Sequence, residues 1–523
     1  MKRLILVLLS SGGLCFCQPA TNFYYAGKQK IPIEPVTAER LTKGEFGSLA
    51  NRRFMQMMAY SIEAEAPESK RLYRIGPLLA KLRGSVSVEF RPDTPPGAIS
   101  ELLAGVKGSA ERVESSGGIL YRITPSKGAS PLNESHKLAL DPRVYYSEPD
   151  LILFSLRTLG MTPVPQPKPR PGNTAPSDPY FPYQWYLARA GLVNPHIENP
   201  TAREFWLDLA QRTSSIKVAV IDDGLDVGHP DFDSTRVQYT NLASSCPRAS
   251  YNPWDRHGTA CAGLIAAVTG NGVAISGLSL RAHLLAFRVT CLLGWDAPRV
   301  SDPGDFAEAI DRAWRNGADV ISLSVGYENG DAGSITDRLT PAIDRALSKG
   351  RDGLGTVIVA AAGNVFTSGG STAVDYPASL ASNQRPIIVV SATTADDRFK
   401  TINPLSSNDW GSRKGPQVSV AAPGVDLPTT VRFDERGQLA ASTVHLFSGT
   451  SAAAPLVAGA AALLLAQNPR LTAAQVRERL RATADPVCDP QSPHDRYGAG
   501  RLNICRALNQ PQSACTTFSS TRP

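Results

Sequence analysis

The sequence predicts an α/β protein built on a doubly wound, mostly parallel sheet, preceded by a small α+β unit. Three observations support this fold class. Short apolar runs without polar alternation recur after residue 178, which is typical of parallel strands buried on both faces. Helical segments separate several of these runs. Before residue 158, alternating strands and short helices indicate a second, smaller unit.

The strands predicted for the larger unit are its most apolar short segments: 216–221, 284–289, 320–323, 356–361 and 387–390. Four helices are predicted in the same unit: 257–268, 306–316, 335–349 and 450–467. The last helix is apolar nearly all round, so a membrane span is one interpretation. A buried core helix is favoured, because the segment contains Pro455 and is shorter than a span.

The smaller unit covers residues 84–157. Its predicted strands are 86–90, 119–124 and 144–154, and its predicted helices are 95–106 and 131–140. Both helices begin at a proline, which is tolerated there because the first turn has no use for the missing N–H. Residues 18–83 carry no chemical motif, so their role stays open.

The first 17 residues resemble a secretory signal peptide. Lys2 and Arg3 precede a short apolar stretch that is too short to cross a bilayer as a helix. Cys15 and Cys17 raise the alternative of a lipoprotein, but the residues before them are bulky. We therefore expect a secreted or periplasmic protein without a stable membrane span.

A proline-rich linker, residues 158–178, connects the two units, and it is expected to be extended and accessible to proteases. The larger unit is expected to span 179–510, followed by a tail of 511–523. The formal net charge is +7 over 523 residues, without a basic run that would follow a phosphate backbone. Nucleic acid is therefore not an expected partner.

The chain has eight cysteines, of which two are Cys15 and Cys17. The other six allow 15 pairings, and none has zinc-ligand spacing. One hypothesis joins Cys246 to Cys291 and places a second bridge among Cys488, Cys505 and Cys515. Cys261 is expected to be a free thiol under a helix, with a disulfide as the alternative.

Polar side chains stand where several predicted strands end. Asp222, Ser324 and Asn364 each follow an apolar strand, and His257 and Ser451 each begin a helix rich in small residues. Ligands of open α/β sheets bind at the carboxyl ends of the strands, so these side chains should converge on one crevice.

Such a set suits nucleophilic catalysis by serine. A serine hydroxyl needs a base to take its proton, and a buried carboxylate orients the imidazole that does so. Ser451 at a helix N-terminus lies where N–H groups favour a developing negative charge, and the Asn364 amide can donate to the same oxyanion. Asp223 is expected to support the site rather than react.

The motifs resemble those of the subtilisin-like serine proteases, or subtilases. They are Val-Ile-Asp222-Asp-Gly, His257-Gly-Thr-Ala-Cys-Ala-Gly, Ala-Ala-Gly-Asn364 and Gly-Thr-Ser451-Ala-Ala-Ala-Pro. The resemblance covers about residues 178–508 and implies a three-layer subtilisin-like fold. It implies a monomeric serine endopeptidase acting on protein or peptide substrates, with no cofactor for catalysis. Ser324, Val325 and Gly326 match the segment that pairs with the substrate backbone.

Two details are similar to the kexin-like branch: the second aspartate in Asp-Asp-Gly-Leu-Asp226, and Cys261. The acidic stretch that accompanies dibasic specificity is reduced to Ser-Val-Gly-Tyr-Glu, so we do not predict that specificity. Residues 84–157 look similar to the inhibitory propeptide of subtilases, which implies a zymogen cleaved within 158–178. Asp231 and Asn271 match positions that bind structural calcium in several family members.

The sequence argues against three other classes of protein. A catalytically silent subtilisin-fold binding module would show a broken triad, and none of the four motif positions is broken. An α/β-hydrolase esterase would need the order serine, acid, histidine and a Gly-x-Ser-x-Gly elbow, which this chain lacks. An adhesive protein would show repeats, and the sequence has none.

Overall fold

A computed structural model describes most of the chain. The described residues are 23–26, 28–36, 40, 71–75, 78–114, 117–155, 161–163, 177–191, 208–209, 211–246, 255–292, 299–328, 336–366, 371–403, 409–431, 444–487 and 494–510. The predicted signal peptide, the tail, most of the proline-rich linker, and Cys15, Cys17, Cys488 and Cys515 lie outside these residues.

The N-terminal unit is an antiparallel sheet with two helices. Its strands are β1 Phe23–Ala26, β2 Gln29–Pro32, β3 Glu34–Pro35, β4 Leu72–Ile75, β5 Leu78–Phe90, β6 Gly108–Arg112, β7 Ile119–Pro125 and β8 Val144–Ser155. Its helices are α1 Pro96–Ala104 and α2 Pro131–Ala139. The central strand β5 pairs with β8 on one side and with β4 and β7 on the other.

The structure lengthens the predicted smaller unit toward the N-terminus. Strand β5 begins at Leu78 rather than Val86, and β3 and β4 continue the same sheet, while β1 and β2 form a hairpin. The hairpin lies against α2, where the Lys28 ammonium donates to the carbonyl oxygens of Ala139 and Asp141 at 2.9 and 2.8 Å. Parts of the segment 18–83 therefore pack as one body with 84–155.

After the short strand β9 Thr162–Pro163 and the helix α3 Trp185–Arg189, the chain builds a seven-stranded sheet. In spatial order its strands are β11 Val237–Asn241, β12 His283–Arg288, β10 Lys217–Asp222, β15 Val320–Leu323, β16 Val357–Ala361, β18 Ile388–Thr393 and β20 Val418–Pro423. Every pairing in it is parallel.

Short strands surround this sheet: β13 Thr290–Leu292, β14 Arg299–Ser301, β17 Asn364–Val365, β19 Gly411–Ser412, β21 Leu427–Thr430 and β22 Val444–Phe447. The helices of the unit are α4 His257–Ala266, α5 Pro303–Arg315, α6 Leu339–Lys349, α7 Thr450–Gln467, α8 Ala473–Ala482, α9 His494–Tyr497 and α10 Ile504–Ala507. Buried clusters on both sides of the sheet make this a three-layer α/β fold, as predicted.

Helix α7 forms the centre of one of these layers. It is long and apolar enough to cross a membrane, but 94% of it is buried inside the protein. Its neighbours include α4 and strands β15, β16, β18 and β20. The prediction of a buried core helix is thus confirmed, and the apolar surface on all sides of α7 has a partner in the fold.

The two units share a sheet. Strand β14 of the larger unit pairs antiparallel with β8, with Val300 opposite Phe154 and Arg299 opposite Ser155. Strand β13 pairs with β14 on its other side, and Cys291 of β13 is bonded to Cys246. That disulfide matches the hypothesis made from the sequence. Cys505 is also disulfide-bonded, and Cys261 is free and buried.

Candidate active site

Three neighbouring strands bring the predicted polar residues to one edge of the sheet. Strands β10, β15 and β16 lie side by side, so Asp222, Ser324 and Asn364 come at or just after adjacent strand ends. Helices α4 and α7 begin at the same edge, with His257 and Ser451 in their first turns. The convergence expected from strand-end positions is present.

Asp222 and His257 form a buried hydrogen-bonded pair. The Nδ1 atom of His257 lies 2.8 and 2.9 Å from the two carboxylate oxygens of Asp222, whose side chain is 1% exposed. Burial alone would raise the pKa of Asp222, but His257, with smaller contributions from Arg299 and the backbone N–H of Asp223, holds the pKa below its usual value. The ring of Phe447 packs edge-on against the imidazole, with centroids 5.2 Å apart. The imidazole is therefore held in one orientation.

Ser451 stands in the first turn of α7 behind Gly449. The φ of 125° at Gly449 is one that a side chain rarely allows, and it turns the chain into the helix. The Ser451 hydroxyl donates to the carbonyl oxygen of Ser324 at 2.9 Å rather than to His257. Catalytic hydrogen bonds often form only once substrate is bound, so this geometry is compatible with a relay.

The buried thiol of Cys261 contacts both the imidazole of His257 and the backbone of Ser451. Its sulfur is 3.8 Å from Nδ1 of His257 and 3.5 Å from the carbonyl oxygen of Ser451. One buried atom thus contacts both residues, which places them around a common point. Burial raises the pKa of the Cys261 thiol well above its usual value, so the sulfur stays neutral.

Asn364 is oriented by its amide oxygen. That oxygen accepts from the backbone N–H of Thr450 at 3.0 Å and from the Thr450 hydroxyl at 3.2 Å. In the described part of the chain no hydrogen bond occupies the amide nitrogen, which stands beside the start of α7. An amide held in this way can donate to an oxyanion near Ser451.

Ser324, Val325 and Gly326 continue β15 beyond its last residue, Leu323. The Ser324 hydroxyl donates back to the Ser451 carbonyl oxygen at 3.1 Å, so this segment is fixed beside Ser451. Gly326 is required by close packing, since a Cβ there would lie 2.6 Å from the Tyr376 carbonyl oxygen. This segment is therefore fixed between Ser451 and Tyr376.

Asp231 and Asn271 also meet, away from the catalytic edge. The Asn271 amide nitrogen lies 3.2 Å from a carboxylate oxygen of Asp231. The sequence did not identify Asp178, whose buried carboxylate accepts from Gly270 N at 2.8 Å, next to Asn271. Burial, with a contribution from Asp178, raises the pKa of Asp231 to about 7. Among the described residues, neither carboxylate is paired with a cationic side chain.

A family model supports the resemblance seen in the motifs: that of the subtilase family matches residues 213–500. The chain belongs to the subtilase family. Subtilisin amylosacchariticus from Bacillus subtilis subsp. amylosacchariticus is 35% identical over 293 residues, which are 56% of this chain and 65% of that protein. The chain thus spans slightly less than two thirds of that relative.

Two further proteins extend the comparison of this subtilase. The calcium-dependent protease of Trichormus variabilis is 31% identical over 368 residues, which are 63% of this chain and 51% of that protein. The crystal structure of fervidolysin from Fervidobacterium pennivorans superposes with a TM-score of 0.59 and 24% identity, covering 82% of this chain and 61% of fervidolysin. At that identity the superposition supports the fold.

Proposed function

We propose that this subtilase is a serine endopeptidase in which Ser451 is the nucleophile, His257 the general base and acid, and Asp222 the carboxylate that orients the imidazole. The observation that carries the proposal is the buried Asp222–His257 hydrogen bond at the edge where α7 begins with Ser451. A carboxylate on Nδ1 fixes the tautomer whose Nε2 can accept the serine proton.

In the proposed reaction, substrate binding turns the Ser451 hydroxyl from the Ser324 carbonyl toward His257. The hydroxyl oxygen attacks the scissile carbonyl while His257 takes its proton, and His257 then protonates the leaving amine. The negative charge on the tetrahedral oxygen is met by the Asn364 amide and by N–H groups at the start of α7. Water hydrolyses the acyl-enzyme by the same steps.

Covalent labelling tests this proposal directly. A fluorophosphonate should label the mature enzyme at Ser451, and a Ser451→Ala chain should take up no label. The alternative is a catalytically silent subtilisin-fold binding module. That alternative predicts no labelling and no cleavage of denatured protein in a chain that melts cooperatively.

We further propose that the N-terminal unit is the inhibitory propeptide of a zymogen. Two described contacts support this. Strand β8 pairs with β14 up to Ser155, and strand β9 pairs with β22, whose Phe447 contacts His257. The described chain therefore runs beside β14 up to Ser155 and resumes beside β22 at Thr162. We place the activation cleavage between Ser155 and Met161, a range that overlaps only the first residues of the window 158–178 predicted from the sequence.

Buried ion pairs hold the proposed propeptide on the start of α6. Arg338 lies 2.8 Å from a carboxylate oxygen of Asp150 and donates to the carbonyl oxygens of Glu148 and Pro149 at 3.0 and 2.9 Å. The Glu148 carboxylate accepts from the backbone N–H of Asp337 at 2.8 Å, which suits the positive end of a helix. A propeptide anchored in this way can remain bound after the chain is cut.

N-terminal sequencing tests the cleavage. The mature protein should begin at one of residues 156–161, and a Ser451→Ala chain made in the same host should keep its propeptide. Identical N-termini in the two proteins would contradict self-processing. Secretion, proposed from the first 17 residues, predicts that the mature protein is found outside the cytoplasm.

A structural calcium ion is proposed at Asp178, Asp231 and Asn271. Calcium takes six to eight oxygen ligands, and two buried carboxylates without a cationic partner in the described chain fit a divalent cation. The relative from Trichormus variabilis is named a calcium-dependent protease. When bound, the ion would neutralise both carboxylates. A chelator should lower the melting temperature of the Ser451→Ala chain, and Asp178→Asn should abolish the chelator's effect.

A further inference from the structure

Asp222 ends strand β10 and Asp223 follows it directly, and only Asp222 contacts the imidazole. Asp223 accepts hydrogen bonds from the backbone N–H groups of His257 at 3.2 Å and Gly258 at 2.7 Å. The residue before the helix, Arg256, makes no side-chain cap. Asp223 thus caps α4 from a neighbouring strand and holds the backbone of the residue that carries the catalytic imidazole.

Asp223 can accept both hydrogen bonds well only as a carboxylate, since the two N–H groups reach different oxygens, and its surroundings oppose ionisation. Its side chain is 0% exposed, and burial raises its pKa, with a smaller contribution from Asp222. Arg299 opposes the rise, since its guanidinium lies 3.3 Å from a carboxylate oxygen of Asp223. The other nearby guanidinium, that of Arg288, lies 2.7 Å from Asp255.

We propose that Arg299 is a positioning residue for catalysis, which keeps Asp223 ionised so that Asp223 fixes the start of α4 and with it His257. The guanidinium also offsets the second carboxylate near the imidazole, so that His257 faces the charge of Asp222 alone. Arg299 lies on β14, opposite Ser155, in the strand that pairs with the proposed propeptide. Arg299 therefore links strand β14 to Asp223, which lies next to the Asp222–His257 pair.

The charged and titratable groups around this pair come from five elements. They are Asp222 and Asp223 at the end of β10, Tyr239 on β11, Asp255, His257 and Cys261 at or before the start of α4, Arg288 on β12 and Arg299 on β14. Asp255 is engaged by Arg288 and by the backbone N–H of Leu292. Removing Arg299 therefore affects Asp223 more than the other carboxylates, because Asp255 keeps its guanidinium partner and Asp223 loses the one at 3.3 Å.

The first measurement is the pH dependence of kcat/KM for mature Arg299→Gln, Arg299→Lys and the unsubstituted enzyme. In Arg299→Gln, Asp223 should take up a proton at higher pH and then release the start of α4, so the acid limb should move to higher pH by roughly half to one unit. At the optimum, kcat/KM should fall by about ten- to a hundredfold, chiefly in kcat, because the imidazole is misplaced. Arg299→Lys keeps the charge and should restore most of the pH profile.

The second measurement needs no turnover, and it separates this inference from the proposed activity on which its kinetic arm rests. In the full chain carrying Ser451→Ala, the proton of the His257–Asp222 hydrogen bond can be followed by NMR against pH. Adding Arg299→Gln should move its transition to higher pH, and adding Asp223→Asn as well should reverse the move. If this shift is seen but the chain that keeps Ser451 neither takes up a fluorophosphonate nor cleaves protein, the peptidase is contradicted and the positioning role is supported.

An unchanged transition in both measurements would overturn the proposal. So would a loss confined to KM, because Arg299 would then merely support strand β14. Melting temperatures of the variants show whether each chain is folded, and the conservative Arg299→Lys variant covers the case in which Arg299→Gln does not fold.

Discussion

The catalytic edge and the interface between the two units are both built from buried polar groups, but they are built differently. At the catalytic edge, each side chain comes from a strand end or a helix start inside a recognisable motif, as with Asp222 and Ser451. At the interface, Arg338 meets Glu148 and Asp150 from a strand nearly 190 positions away, and none of the three belongs to a motif. The residues of the catalytic edge are restricted to types that can carry out the proposed reaction. The residues of the interface need only be oppositely charged and close together.

This difference predicts that the two regions fail separately. Substitutions at the catalytic edge should abolish turnover and leave the binding of the propeptide unchanged. Substitutions at the interface should release the propeptide and leave the turnover of the mature enzyme unchanged.

The largest effect is expected from the triad. Ser451→Ala or His257→Ala should lower kcat by about 10⁶, the size of the loss in subtilisin, because nucleophile and base act as a unit. Steady-state hydrolysis of a chromogenic peptide by the mature enzyme measures it. The Ser451→Ala/His257→Ala double variant should have about the same kcat as either single variant. A kcat reduced by the product of the two single losses would argue against a coupled pair.

Asn364→Ala should have the next largest effect. Loss of one oxyanion donor costs about 10²–10³ in kcat, as the equivalent change does in subtilisin. KM should change little, since the bond strengthens only in the transition state. Equal turnover in Asn364→Ala and the unsubstituted enzyme would exclude Asn364 from the oxyanion hole.

At the interface, Arg338→Gln should speed propeptide release by roughly a hundredfold or more. The substitution leaves Glu148 buried without its cation and Asp150 with only the exposed Arg122 at 3.8 Å; breaking a buried pair costs about 3–5 kcal/mol. The rate at which activity appears after processing measures the release. Arg398→Gln is the matched control, because Arg398 is 82% exposed in its pair with Asp396. The mature Arg338→Gln enzyme should keep its kcat.

The smallest effect is a pH dependence of that release. Burial raises the pKa of Glu148 to about 7, well above the value it would have after release. The bound state therefore holds this proton more tightly. Its contribution to binding is complete below about pH 4.5 and is lost as the pH rises through about 7. Release should accelerate by up to about a hundredfold over that range, and Glu148→Gln should flatten the dependence; a steeper dependence in Glu148→Gln would contradict this assignment.

Most of the central sheet could be predicted because its strands are continuous apolar runs. Strands β11 and β20 were not predicted. Strand β11 is a half-exposed edge strand with polar residues, and β20 mixes serine and proline with small residues, so neither has the apolar signal of β15. The predicted helix 335–349 begins four residues later, at Leu339. Helix α7 was predicted to the residue, since a long apolar run has few alternatives.

The sequence by itself determined which residues carry the proposed chemistry, because a strand end, a helix start and a nucleophile motif are local properties. It also determined the fold class, because burial on both faces shows in the composition of each strand. Only the tertiary structure decided that Arg299 pairs with Asp223, that Asp178 approaches Asn271, and that Arg338 holds Glu148. Those contacts join distant segments, and their effect depends on how completely burial removes the charged groups from water, which no local pattern records.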